Sequence, residues 1–180
     1  QRQMLRVADV EGTLLTAMPI GDLLASRSRK VLVVSTGSPG SALLLAPTPT
    51  SGTVLNTEYF RPAGMQARVE SAVGPIPKEG IPNDARNRYM IDMLVRVGLP
   101  EVKPDVVFVW FSEPDTTAHA KGWYTDDTRH VLSAVDTEIG RLEDGLAAAG
   151  RLDATNILVV SDHGFSPHSG GFTLPGLVKP

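Results

Sequence analysis

Three stretches of consecutive apolar residues stand out in this chain: Val31–Val34, the core of Asp105–Phe111, and Ile157–Val160. None alternates with polar residues. Short aliphatic and β-branched runs of this kind fit strands covered on both faces of a parallel sheet. Between the second and third, Leu132, Val135, Ile139, Leu142 and Leu146 recur at steps of three and four. That spacing predicts an amphipathic helix from Thr125 or Asp126 to Ala149, stopped by Gly150, with its stripe on the sheet. Strand, helix and strand form one unit from Asp105 to Ser161, and such a crossover requires parallel strands.

The rest of the chain is less regular. Residues 1–18 show no periodicity. A short helix is expected after Pro19, ending near Arg27–Lys30. Val31–Val34 leads into Ser35-Thr36-Gly37-Ser38-Pro39-Gly40, which fits a tight turn better than a phosphate cradle, because no Lys follows the glycines. Leu43–Leu45 fits a short strand or a helical turn. Residues 46–83 carry Pro47, Pro49, Pro62, Pro75, Pro77 and Pro82. They are expected to form a lid or insertion, with a short strand near Thr53–Leu55. Asn83 or Asp84 caps a helix in which Met90, Leu94 and Val97 share a face, and Gly98 and Pro100 are expected to stop it. The whole, residues 1–180, is read as a single α/β domain.

Composition narrows the function. The 180 residues carry a net charge of -3, which argues against a nucleic-acid polymer as partner. No apolar run has the length of a membrane span. There is no cysteine, so thiol catalysis, cysteine zinc sites and disulfides are excluded. The chain starts without Met and stops in a Gly/Pro-rich stretch, Gly170–Pro180. It is read as incomplete at both ends, and its compartment stays open.

Chemistry concentrates at the carboxyl ends of two predicted strands. Asp105–Phe111 runs into Ser112-Glu113-Pro114-Asp115, with His119 four residues on, and Ile157–Val160 runs into Ser161-Asp162-His163-Gly164. In open α/β sheets ligands bind at that edge. One helical turn puts Asp115 and His119 on one face. Alone, Asp162 fits a turn residue and His163 a solvated loop residue. Two Asp–His pairs on one edge point instead to a metal site, because carboxylate oxygen and imidazole nitrogen are usual zinc ligands. Two metals about 3.5–4 Å apart suit in-line phosphoryl displacement. Thr116 and Thr117 are better read as satisfying local backbone than as nucleophiles. His168 is an extra ligand candidate or a solvated loop residue. His130 is expected at the surface, Asp136 in a structural or solvated role, and Trp123 and Tyr124 on a pocket wall or a helix start.

These motifs resemble the alkaline phosphatase superfamily, and most closely its type I phosphodiesterase/nucleotide pyrophosphatase branch. The resemblance rests on Pro114, Asp115, His119 and Gly122, on Val135-Asp136 and Gly140-Arg141-Leu142, and on Ser161 to Gly164; Lys30–Leu45 resembles the segment after the nucleophile. It implies an alkaline-phosphatase-like three-layer α/β/α fold with a mainly parallel sheet. It implies a two-zinc hydrolase of phosphoric esters acting on a small phosphate ester or nucleotide. Asp115 and His119 would hold one metal, Asp162 and His163 the other. The family's Asp on an early strand and its Thr or Ser nucleophile are missing from residues 1–18, so the nucleophile is expected upstream of residue 1. On that reading the segment alone is inactive, and an open sheet edge would favour self-association. Phosphonate hydrolysis, sulfate-ester cleavage, phosphoglycerate mutation and a non-catalytic metal-binding domain are the alternatives, and the identity of the nucleophile discriminates among them.

Overall fold

A computed structural model describes residue 10 and residues 15–166. Its centre is β1 (Val31–Ser35), in which every residue is buried. Strand β2 (Thr53–Asn56) and strand β4 (Val106–Trp110) both pair with β1 in parallel, and β3 (Tyr59–Arg61) pairs with β2 antiparallel. The order is β3-β2-β1-β4, an α/β fold on a mostly parallel sheet. The unbroken apolar run of β1 is explained by its central place, since both its edges are paired and both its faces are covered.

Helices cover the two faces with separate cores. Helix α1 (Ile20–Ser26) and helix α2 (Pro39–Leu45) lie on one side, where Leu24, Ala42, Leu45 and Ala46 meet Val31, Val33 and Val54. On the other side Leu32, Val34 and Leu55 meet α3 (Met65–Val73) and α4 (Asp84–Met93). Residues 46–83 therefore contain two strands and a helix, of which only a strand near Thr53–Leu55 was expected. Arg61 organises their start: its guanidinium donates to Ala46 O at 2.6 Å and to Gly52 O at 3.2 Å.

Helix α4 does not stop at Gly98. It widens into a π-helical segment, Leu94–Val102, which contains Pro100 and ends at Lys103 with a left-handed φ of 52°. The wider turn accommodates the proline ring, and Gly98 serves packing instead of termination. A Cβ there would lie 2.6 Å from Leu32 Cδ2, so a larger residue would have to displace the Leu32 side chain for the segment to approach β1 this closely.

Helix α5 (Asp115–Lys121) and helix α6 (Asp126–Ala148) follow β4. Thr125 caps α6 by accepting the Thr128 N–H at 3.3 Å. The expected stripe of α6 holds in part: Leu146 is buried and Leu142 packs against the same core, but Leu132 turns outward. Leu132 is 51% exposed, while Val131 is fully buried and Glu138 and Leu146 are nearly so. Helix α6 packs on α4 and the π segment, not on the sheet. Its inner face is polar as well as apolar: Glu138 lies 3.6 Å from Arg88, and Arg141 joins Glu138 to Asp92. Gly145 gives Val95 room that a Cβ would fill at 2.7 Å.

Ile157–Val160 is the second correction. It is not a buried strand. It pairs with no strand among the described residues, and Leu158, Val159 and Val160 are 82%, 73% and 86% exposed. Among the described residues the sheet ends at β4 and no second layer covers this run. An apolar run becomes a central strand only where neighbours exist on both edges. No described helix is long and apolar enough to cross a membrane.

The opposite, amino edge of the β1–β4 pair is clipped by Asp105. Its carboxylate accepts the Lys30 N–H at 2.8 Å and faces Arg29 at 3.4 Å. The Lys30 N–H, followed by Arg29, holds the Asp105 carboxyl below its ordinary value of 3.8. A depressed folded value adds stability that is complete above the ordinary value and is lost as pH falls through the folded one. Asp105→Asn should therefore melt below the parent at neutral pH, with the gap closing in acid. A gap that stays constant through the acid range in pH-dependent thermal melts would refute this linkage.

Candidate metal centre

The carboxyl ends of β1 and β4 are side by side because Ser35 is in register with Trp110. Thr36 and Ser112 follow these strands and meet there: the Ser112 N–H donates to Thr36 Oγ1 at 2.9 Å, and the Thr36 hydroxyl lies 3.1 Å from Asn87 Oδ1. From this junction the chain turns into α5, whose first residue is Asp115. The i, i+4 spacing brings His119 Nε2 to 3.4 Å from Asp115 Oδ1. After the exposed run the chain returns to the same place, and His163 Nε2 lies 3.3 Å from the same oxygen. His163 Nε2 is also 3.9 Å from Asp162 Oδ1, and the His163 N–H donates to that atom at 3.1 Å. His119 and His163 thus flank one oxygen of Asp115, and Asp162 joins the group through His163.

That oxygen is unusual. Asp115 Oδ1 is buried and accepts no hydrogen bond, although two imidazole nitrogens flank it. His163 defines part of the chemistry. Its Nδ1 lies 3.0 Å from the carbonyl of Gly164, which can only accept, so Nδ1 carries a proton. This directs Nε2 at Asp115. The Gly164 carbonyl, then Asp162, and more weakly Asp115 raise the affinity of His163 for a second proton. A neutral ring would present a lone pair to the lone pairs of a carboxylate oxygen. The contact becomes attractive only with a cation between or on these groups, either a proton on Nε2 or a metal ion.

The donor types suit zinc, and a ligating His usually gives its other N–H to a carbonyl or carboxylate, as His163 does. The arrangement is nevertheless one of donors touching donors. Among the described residues no three acidic or imidazole side chains surround a common point as a metal requires. His119 and Asp162 have side chains 69% and 57% exposed, so they are free to rotate into such an arrangement.

Other sequence candidates fall outside the cluster. The Thr116 hydroxyl donates to Ser112 O at 2.9 Å, and the Thr117 hydroxyl to Glu113 at 2.9 Å. His130 is at the surface and pairs with Asp84 at 2.7 Å. Asp136 is exposed. Trp123 and Tyr124 stack with centroids 5.3 Å apart beside the start of α6. His168 lies outside the described residues. Two neighbours escaped the sequence reading. Phe165 packs edge-on against His119 at 4.9 Å and lies 5.7 Å from His163, so one ring braces both imidazoles. Glu113 is 3% exposed, which a charged residue between a strand and a proline does not advertise.

Comparison with known proteins identifies the family. The family model for type I phosphodiesterase / nucleotide pyrophosphatase matches residues 33–175. Ectonucleotide pyrophosphatase/phosphodiesterase family member 7 of Homo sapiens is 32% identical over 112 residues, which are 60% of this chain and 24% of that protein. Venom phosphodiesterase 2 of Crotalus adamanteus is 30% identical over 110 residues, 59% of this chain and 13% of that protein. The chain thus spans about a quarter of the first relative's length and less of the second's. No solved structure matches it significantly. The family match covers most of the chain, both Asp–His pairs included, and the chain belongs to the type I phosphodiesterase/nucleotide pyrophosphatase family.

Proposed function

We propose that this chain carries part of the two-metal centre of a hydrolase of phosphoric esters, acting on phosphodiesters or nucleotides. The observation that carries the reading is the buried Asp115 Oδ1, which has no hydrogen bond and is flanked by two imidazole nitrogens. Family membership supports the reaction class. Asp115 and His119 would hold one divalent cation and Asp162 and His163 the other, and zinc suits that donor set. Such cations, when bound, polarise the phosphoryl group and stabilise the attacking and leaving oxygens.

The chain's own residues supply position and polarity. Helix α5 holds Asp115 and His119 one turn apart at the sheet edge. Gly164 fixes the His163 ring so that Nε2 is its ligating atom. Phe165 lies against both rings. Neither Thr116 nor Thr117 has a hydroxyl free for attack, since each donates to a neighbour within the α5 turn. Neither threonine is therefore assigned as the nucleophile, and the family resemblance supports one upstream of residue 1.

The test uses the full-length protein that contains this chain. Chelation should abolish cleavage of a nitrophenyl phosphodiester, and zinc should restore it. Activity unaffected by exhaustive chelation would refute the metal centre. Restored turnover of a sulfate ester, with none of the diester, would favour the sulfatase alternative.

A further inference from the structure

We propose that Glu113 is the positioning residue for Asp115, an inference that rests on Asp115 being a metal ligand. Glu113 is a carboxylate buried to 3% exposure, and a buried charge persists only where hydrogen bonds compensate it. It has three donors. Oε1 accepts the Asn83 N–H at 3.0 Å and the Thr117 hydroxyl at 2.9 Å, and Oε2 accepts the Thr117 N–H at 3.0 Å. The Thr117 N–H belongs to the first turn of α5, where amides lack partners within the helix. Asn83 precedes α4 directly. One side chain therefore fastens the start of α4 to the start of α5.

Asp115 lies between these fastenings. Ser112 O accepts both the Thr116 N–H at 3.0 Å and the Thr116 hydroxyl at 2.9 Å. Ser112 Oγ is 3.3 Å from Asn83 Nδ2, which ties the same turn to α4 again. The Asp115 backbone is thus held by residues 112 and 113 on one side and by 116 and 117 on the other. The pieces it joins extend to β1 through Thr36 and to α6 through the Asp84–His130 pair. Glu113 touches neither imidazole. Its effect on a metal is exerted through the first turn of α5, as the supporting groups around metal ligands commonly act.

The experiment measures zinc affinity by chelator competition, and melting temperature without zinc, on the full-length protein. The variants are Glu113→Gln, Thr117→Val, Thr117→Ser and Asp115→Ala. Gln keeps one acceptor and turns its amide donor toward a donor. Glu113→Gln should weaken zinc binding about 10- to 100-fold. Thr117→Val keeps the shape, removes one donor and should weaken binding by about tenfold, while Thr117→Ser should restore it. These losses should appear per folded molecule, at temperatures below every variant's melting point. Parental affinity in Glu113→Gln and Thr117→Val, with zinc lost in Asp115→Ala, would overturn the positioning role and leave the metal reading standing. Parental affinity in Asp115→Ala would overturn both. If Glu113→Gln does not fold, the two Thr117 variants decide.

Discussion

On the proposed function, replacing Asp115 by Ala in the protein that carries this chain should lower phosphodiester turnover by about a thousandfold, which corresponds to about 4 kcal/mol of transition-state stabilisation. Asp115 Oδ1 is the atom on which His119 and His163 converge, so its loss removes a donor and the common neighbour of two others. The remaining imidazoles and Asp162 would be left with exposed, rotatable side chains and no shared anchor. Asp136→Ala is the matched control: it also removes one carboxylate, but an exposed one on α6. Its turnover should equal the parent's. Equal losses in the two variants would show that charge, not the cluster, matters.

The second large effect is on stability. Leu32→Ala should cost about 3–5 kcal/mol, a large part of the roughly 5–15 kcal/mol that holds a domain together. Leu32 is fully buried in the centre of β1 and lies against Gly98, where the π segment comes closest to the sheet. Val159→Ala should change stability by less than about 0.5 kcal/mol, because that side chain is mostly in solvent. Both residues sit in apolar runs of similar appearance, so the pair of variants separates a run that is covered from one that is not. Denaturant unfolding of the described chain measures both. A cost for Val159→Ala approaching that of Leu32→Ala would mean that Ile157–Val160 is packed in solution.

The contrast explains what could be read from the sequence. β1 was legible because continuous apolar residues mark what must leave water; β4 carries the same kind of run but lies half-buried at the sheet edge. The same rule failed at Ile157–Val160 because composition does not say what covers a run. The extent of α6 followed from its periodicity, and so did the Leu142 and Leu146 end of its buried face, but the rest of that face did not. That face includes Glu138, Arg141 and Gly145, which serve by ion pairing and close approach and carry no hydrophobic signal. Pro100 and Gly98 look like stops and are instead accommodated by a wider helical turn. Strand β3 and helix α3 were hidden by surrounding prolines.

At the candidate site, the i, i+4 spacing revealed that Asp115 and His119 share a face. The proximity of His163 was argued from two parallel strands. It arises here by another route, from a turn after an exposed segment that reaches the same edge. Phe165 and Glu113 could not be singled out, because an aromatic after a glycine and an acid before a proline are common on protein surfaces. Burial of Glu113 follows from the register of β1 against β4, which packs their two following turns together.

Anomalous diffraction at the zinc absorption edge, from crystals of the protein that carries this chain grown with zinc, tests the metal centre. Peaks are expected beside Asp115 and His119 and beside Asp162 and His163, with the His163–Asp115 contact opened to admit metal. Peaks only elsewhere, or these four side chains still paired with one another at saturating zinc, would contradict it.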